Sequence, residues 1–410
     1  MNICNKQRSG THAPTRKPRG TVGSKPLWIL AAIGVLVAVG AAWWAWETRR
    51  RPWSDDRVTV AGVELARDSG FAGSRVCAEC HPGESAAFAR SGHARTLRPA
   101  GRIPLARWLA GKTVADPEQP GRTYHYKPRG DELWVERREA GRVESRRALS
   151  FALGSGTHAV TFVGLEPKSA GPPEGLEHHL TYFQHRDAMG VTPGQAAPKS
   201  DPELGPDGFR LPKAVLLDCL ECHGTRTKPP RGGGVDLATL LPQVSCERCH
   251  GPARGHVDRA QAGGLGSLEL GMAFGPERET SLQQITMCGR CHRLPEMVEA
   301  ATIRPDNAAI TRFPAVGLLQ SDCYVRSGGR VTCTTCHDPH ARATSSANPY
   351  ESACLSCHRV EDESTEPKPS YAGNPCPINP RSDCVRCHMP KRDAGYGIQF
   401  SDHWIRAEAE

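Results

Sequence analysis

The strongest hydropathy feature of the chain is Leu27 to Trp46, 20 residues without a charged side chain. Coiled as a helix, that run spans about 30 Å, the thickness of a bilayer's hydrocarbon core. Trp28 near one end and Trp43, Trp44 and Trp46 near the other match interfacial anchors. Residues 1–26 carry Lys6, Arg8, Arg16, Lys17, Arg19 and Lys25 and no acid, so the positive-inside rule keeps them cytoplasmic and exports the body beyond the apolar run. A cleaved signal peptide is the alternative. It needs a small-residue site, and Ala38, Gly40 and Ala42 are followed by bulky tryptophans, so the expectation is an uncleaved single-pass anchor.

Residues 47–73 read as a linker to the exported body, 74–410. From Thr123 to Val163 polar and apolar positions alternate, as in Leu133-Trp134-Val135-Glu136 and Ala159-Val160-Thr161-Phe162-Val163. That period predicts a small antiparallel β insertion over about 122–165, with turns at Pro128–Asp131 and Glu139–Arg142. Pro/Gly-rich stretches follow at Gly171–Gly175 and Thr192–Gly208. Beyond Leu211 no long amphipathic period appears. With 42 glycines, 34 prolines and only 38% hydrophobic residues, the chain predicts short helices and loops, not a helical bundle, over 211–408. Residues 361–380 read as a polar, Pro-rich loop.

The chemistry lies in one pentapeptide, Cys-x-x-Cys-His, which occurs seven times. The cysteines are Cys77 and Cys80, Cys219 and Cys222, Cys246 and Cys249, Cys288 and Cys291, Cys333 and Cys336, Cys354 and Cys357, and Cys384 and Cys387. The following histidines are His81, His223, His250, His292, His337, His358 and His388. The motif attaches a c-type haem: two thiols form thioethers with the porphyrin, and the adjacent imidazole reaches the iron. Zinc would need paired half-sites giving four ligands, and an odd count with an invariant histidine does not suit it. Histidine is about 4% of the chain, so seven coincidences have a chance of roughly one in 10⁹–10¹⁰. Seven c-type haems (Fe) are therefore expected, and the porphyrins must supply much of the buried apolar surface.

Three cysteines remain. Cys4 precedes the apolar run and is expected in the cytoplasm. Cys323 and Cys376 are left for an oxidising compartment, where they are expected to pair as a disulfide. Ten histidines lie outside the motifs, one of them His12 in the basic tail. A second imidazole on an iron makes a six-coordinate centre suited to electron transfer; an open position suits small-ligand chemistry. His340 and His256 follow motif histidines too closely to reach the far face of their own haem, but each can reach a neighbour's iron. His93 and His158 sit in glycine-rich turns. These four and His403 are the expected distal ligands, with His179 and His185 weaker candidates and His125 and His178 expected at the surface.

Charge changes the picture less than it suggests. The net +8 includes six positives in the basic tail; the remainder has 46 basic and 44 acidic side chains. Each ferric bis-histidine haem with ionised propionates adds about −1, so the loaded body is near −5. A nucleic-acid partner is not expected.

Cys246–Val257 (CERCHGPARGHV), Val331–His340 (VTCTTCHDPH) and Cys384–Pro390 (CVRCHMP) resemble segments of exported multihaem cytochromes of the cytochrome c-554 type. Gly154–His158, Thr192–Gly194 and Asp402–Arg406 resemble a larger bacterial group, some members of which carry tetratricopeptide repeats after the haems. The resemblance covers roughly 74–408 and implies a multihaem cytochrome fold, mainly short α-helices and loops wrapped around stacked haems. It implies iron ligation by His93, His158, His256, His340 and His403. No Cys-x-x-Cys-Lys occurs, so the lysine-ligated haem of pentahaem nitrite reductases is missing.

The expected function is a cytoplasmic-membrane cytochrome, its haem domain on the periplasmic side, relaying electrons from a redox protein or quinol-linked donor to an acceptor. The alternative is a multihaem oxidoreductase acting on a small nitrogen or sulfur compound at one open-site haem.

Overall fold

A computed structural model describes residues 59–60, 63–64, 70–166, 171–196, 201–227, 233–263, 280–344, 348–360 and 373–407. The chain divides after Arg51, and the unit from Pro52 onward holds every described residue. The apolar run Leu27 to Trp46 lies outside the described residues. Among the described residues no helix is long and apolar enough to cross a membrane.

Hairpins form where the two-residue alternation predicts them. Thr113–Ala115, Arg122–Arg129, Glu132–Glu139 and Arg142–Leu149 make a four-stranded antiparallel sheet in that order. Tyr126 stands opposite Val135, and Tyr124, Tyr126, Leu133 and Val135 are all buried. The connection Ala140–Gly141 has positive φ at both residues, the backbone a tight hairpin requires.

The β region is larger than the predicted 122–165 insertion. A second, eight-stranded sheet reaches from Leu97–Pro99 to Gly208–Leu211. Its central strand, Ala159–Glu166, pairs antiparallel with Phe151–Leu153, Glu174–His178 and Leu180–Phe183. Sequence reading stopped short because Gly171–Gly175 and Thr192–Gly208 are rich in turn residues. Glu174–His178 and Gly208–Leu211 nevertheless pair with each other, and Leu176 and Leu211 are buried.

Two apolar cores hold this β body. One gathers Leu109, Tyr124, Tyr126, Leu133, Phe162 and Leu180. The other joins Leu97, Phe151, Val163 and Leu165 to Leu216 and Leu220 of the helix Lys213–His223. Leu216 and Leu220 are one helical turn apart on the same face, and each stabilises by about 2 kcal/mol when buried. Their burial fixes the helix that ends in His223.

The six remaining motifs have their cysteines on short helices: Ser74–Cys80, Cys246–His250, Ser281–His292, Cys333–Cys336, Asn348–His358 and Cys384–His388. Among the described residues this region holds one small apolar cluster, including Ile285, Leu294, Ala315 and Leu318. That is too little to fold it on side-chain burial alone, as a region expecting porphyrins in its interior requires. The hairpin Lys391–Asp393 and Gln399–Ser401 leads to His403.

Candidate functional site

Helical geometry explains the motif. Residues i, i+3 and i+4 share one helix face, so a turn of helix directs two thiols and an imidazole to one side. The helix Ser281–His292 is fixed by a capping box between Thr280 and Gln283, and Cys333–Cys336 by one between Thr332 and Thr335.

Several rings are held by a backbone carbonyl. Nδ1 of His223 bonds Thr96 O at 3.0 Å, that of His358 bonds Asn374 O at 2.8 Å, and that of His388 bonds Arg406 O at 3.0 Å. His403 uses Ser401 O at 3.0 Å, and the His93 ring donates to the Pro339 carbonyl. An Nδ1–H donor fixes the neutral tautomer and leaves Nε2 as a lone pair for a metal. Burial acts in the same direction. Desolvation, then repulsion from His93 and His337, pushes His292 down to about 4; burial, then His337, pushes His403 down to about 4.

Four motif histidines face a second imidazole. His81 and His256 have ring centroids 6.5 Å apart, His292 and His93 6.1 Å, His250 and His340 6.1 Å, and His337 and His403 6.1 Å. Two metal–nitrogen bonds of about 2 Å and two half-rings of about 1.1 Å sum to about 6.2 Å. Each pair therefore has room for one iron between its rings. Nδ1 of His256 is buried with no hydrogen-bond partner among the described residues, an orphaned nitrogen of the kind a metal satisfies. The donor set fits c-type haem.

Among the described residues no second imidazole stacks against His223, His358 or His388. The other histidine candidates are not brought to them. His158 packs on Phe400 with ring centroids 4.7 Å apart, and Nε2 of His185 accepts from Arg186 at 3.0 Å. His179 is inside the β body, buried, with Nε2 3.2 Å from Asp116 Oδ2. His178, expected at the surface, is 1% exposed: its ring donates to the Asp207 carbonyl and Nε2 accepts from Tyr126 Oη at 2.8 Å. Both follow from the strand Glu174–His178 passing through the core. His125 lies on the outward face against Thr113.

The expected Cys323–Cys376 disulfide is not formed; both thiols are free. Cys376 accepts from the Asn379 amide at 3.5 Å and lies within hydrogen-bond reach of His388, whereas Cys323 lies near Cys336 and Cys357. Spacing along the chain cannot show that the two segments pack against different motifs.

The motifs approach one another in a fixed order. Cys77 lies near Cys246, Cys222 near Cys291, Cys288 near Cys333 and Cys354 near Cys384. The helices Cys333–Cys336 and Asn348–His358 also pack together, and Cys249 lies near Cys288. Counting motifs along the chain, the spatial order is one, three, four, five, six, seven, with the second beside the fourth. Glu247, between the cysteines of the third motif and 4% exposed, ties it to the first. It accepts from the amides of Ala72 at 2.8 Å, Gly73 at 2.9 Å and Ala253 at 2.8 Å. Sequence reading passed over Glu247; an acid buried inside a motif has no local signature.

A family model described as cytochrome c554 and c-prime matches residues 195–251. Over 398 residues the chain is 24% identical to the dissimilatory sulfite reductase MccA of Wolinella succinogenes, covering 81% of this chain and 53% of that protein. It is 26% identical over 219 residues to the multiheme cytochrome MtrA of Shewanella baltica, covering 49% of this chain and 60% of that protein. The chain thus spans little more than half the length of these curated relatives. The outer cell wall cytochrome OcwA aligns with a TM-score of 0.49 and 13% identity, over 82% of this chain and 80% of that one. With its motifs and paired imidazoles, the chain is a multihaem c-type cytochrome. Cytochromes of this kind exchange electrons with redox partners.

Proposed function

We propose that the chain is a membrane-anchored, periplasmic heptahaem cytochrome that relays single electrons from a redox protein or quinol-linked donor to an acceptor. The seven thiol pairs hold the porphyrins, and the motif histidines are the proximal ligands. His256, His93, His340 and His403 are distal ligands opposite His81, His292, His250 and His337. Porphyrin iron supplies the one-electron chemistry. The protein's residues set spacing, axial ligation and burial. The observation that carries the reading is the row of imidazole pairs, each 6.1–6.5 Å across, on motifs that adjoin one another.

A second reading has a specific observation behind it. His223, His358 and His388 face no second imidazole among the described residues, which leaves room for a sixth ligand from outside the chain. The similarity to a protein named as a sulfite reductase points the same way, to a small sulfur or nitrogen compound. Haem counting by pyridine haemochrome, with electron paramagnetic resonance and CO binding on the exported holoprotein, tests both. Seven covalent haems, mostly low-spin, support the conduit. A high-spin, CO-binding centre that turns over sulfite, nitrite or hydroxylamine replaces it with the reductase, and a chain without haem refutes both.

A further inference from the structure

Three arginines converge where two imidazole pairs meet. Arg95 closes the short helix His93–Arg95, and Arg98 lies on the strand Leu97–Pro99. Arg342 follows His340 by two residues. The His93 ring donates to the Pro339 carbonyl, which seats the 339–342 turn against residues 93–95. Arg95 stands close enough to feel both Arg98 and Arg342.

Like charges gathered this way need an anion, and the described protein gives them none. Arg95 Nε donates to the Ser91 carbonyl at 3.2 Å, a neutral partner. Nε of Arg98 is buried with no hydrogen-bond partner among the described residues. Among the described residues none of the three makes an ion pair with a carboxylate, whereas arginines of the β body do, such as Arg137 with Asp207 at 2.8 Å. Burial, then repulsion from Arg95, pushes Arg98 down to about 10. A half-buried guanidinium in that state favours an anionic partner, and the described residues supply none.

We propose that Arg95, Arg98 and Arg342 form a carboxylate receptor for the propionates of the haems beside His93/His292 and His250/His340. A guanidinium fork matches a carboxylate bidentately, and a porphyrin brings two carboxylates to its attachment site. The proposal rests on the haem reading above. It assigns these residues a task beyond charge balance: each cation favours the reduced, more negative state of the centre beside it.

The test uses the full haem-loaded chain with Arg98→Gln, Arg98→Lys and Arg342→Gln, read by spectroelectrochemical titration and by resonance Raman bands of the propionates. Arg98→Gln is expected to lower one component's reduction equilibrium by about tenfold, 59 mV for a one-electron couple. Arg98→Lys should lose less, because it keeps the charge and loses the fork. Arg326→Gln, an exposed residue paired with Asp322, should shift nothing. Should Arg98→Gln fail to fold, Arg342→Gln, at an exposed side chain, carries the same expectation. Unmoved potentials and unmoved propionate bands, with haem content intact, overturn this inference alone. Absence of covalent haem from the wild-type chain overturns it together with the reading beneath it.

Discussion

Gly317→Ala tests the assembly of one imidazole pair from a residue that touches no metal. Gly317 lies in the helix Pro314–Gln320, packed under the backbone that carries His403. A Cβ there would stand 2.8 Å from the carbonyl carbon of His403, 2.8 Å from the Trp404 nitrogen and 3.1 Å from His403 Cβ. Ordinary contact begins near 3.4 Å, so the struck segment must retreat by about 0.6 Å. Helix propensity alone favours alanine by about 1 kcal/mol. Overpacking costs about 1–3 kcal/mol, and here it wins because two of the three struck atoms are backbone. The segment is also stiff: Ser401 O holds the His403 ring, and Asp402 accepts from the Trp404 amide at 2.9 Å and pairs with Arg392 and Arg406. The retreat therefore disturbs the register of the His403 ring with His337. A penalty of about 1.4 kcal/mol on that contact is tenfold in occupancy of the sixth position. Electron paramagnetic resonance should show a new high-spin ferric signal, accompanied by CO binding. Gly83→Ala, in open space on the helix Pro82–Phe88, is the control and should leave both unchanged. A Gly317→Ala protein that stays wholly low-spin, with the thermal midpoint of the control, refutes the argument.

Three further outcomes are expected. Burial, then repulsion from His179, pushes His178 down to about 4, below its unfolded value of 6.5. The unfolded chain binds the extra proton between those values, so stability is full above about pH 6.5 and falls by about 3 kcal/mol as pH drops to 4. Urea midpoints across that range should show the slope, and His178→Gln should flatten it. Glu247→Ala strands three amide donors, one buried and two half-buried, and should cost about 2–3 kcal/mol in chemical denaturation, with Glu247→Gln recovering part. Cys323→Ser and Cys376→Ser should leave stability unchanged under oxidising conditions, and thiol counting on the loaded wild-type body should find both sulfhydryls reactive after unfolding.

Attachment chemistry was legible because it is local: five consecutive residues on one helical turn contain it. Hairpins around Gly130 and Ala140–Gly141 were legible for the same reason. Motif context and resemblance singled out His93, His158, His256, His340 and His403, but not which motif each ring faces, since the opposing imidazole comes from a distant segment, and His158 packs on Phe400. His178, expected at the surface, lies in the core because the strand Glu174–His178 passes through the packed β body, which no local signal shows. The reach of the second sheet was hidden by glycine and proline at its strand ends, where Leu176 and Leu211 find their packing only once the helix Lys213–His223 docks.

The carbonyls that hold motif rings come from outside the motif: Thr96 lies 127 residues before His223, Asn374 16 residues after His358 and Arg406 18 residues after His388. The two thiols and the imidazole of a motif lie within five residues, whereas the carbonyls that align His358 and His388 come later in the chain. On the proposed function, covalent attachment is local to each motif, and ring alignment depends on the folded chain. On that same reading, a polypeptide interrupted before residue 403 would carry every thiol pair yet lack the imidazole that faces His337, and its spin state would report the defect.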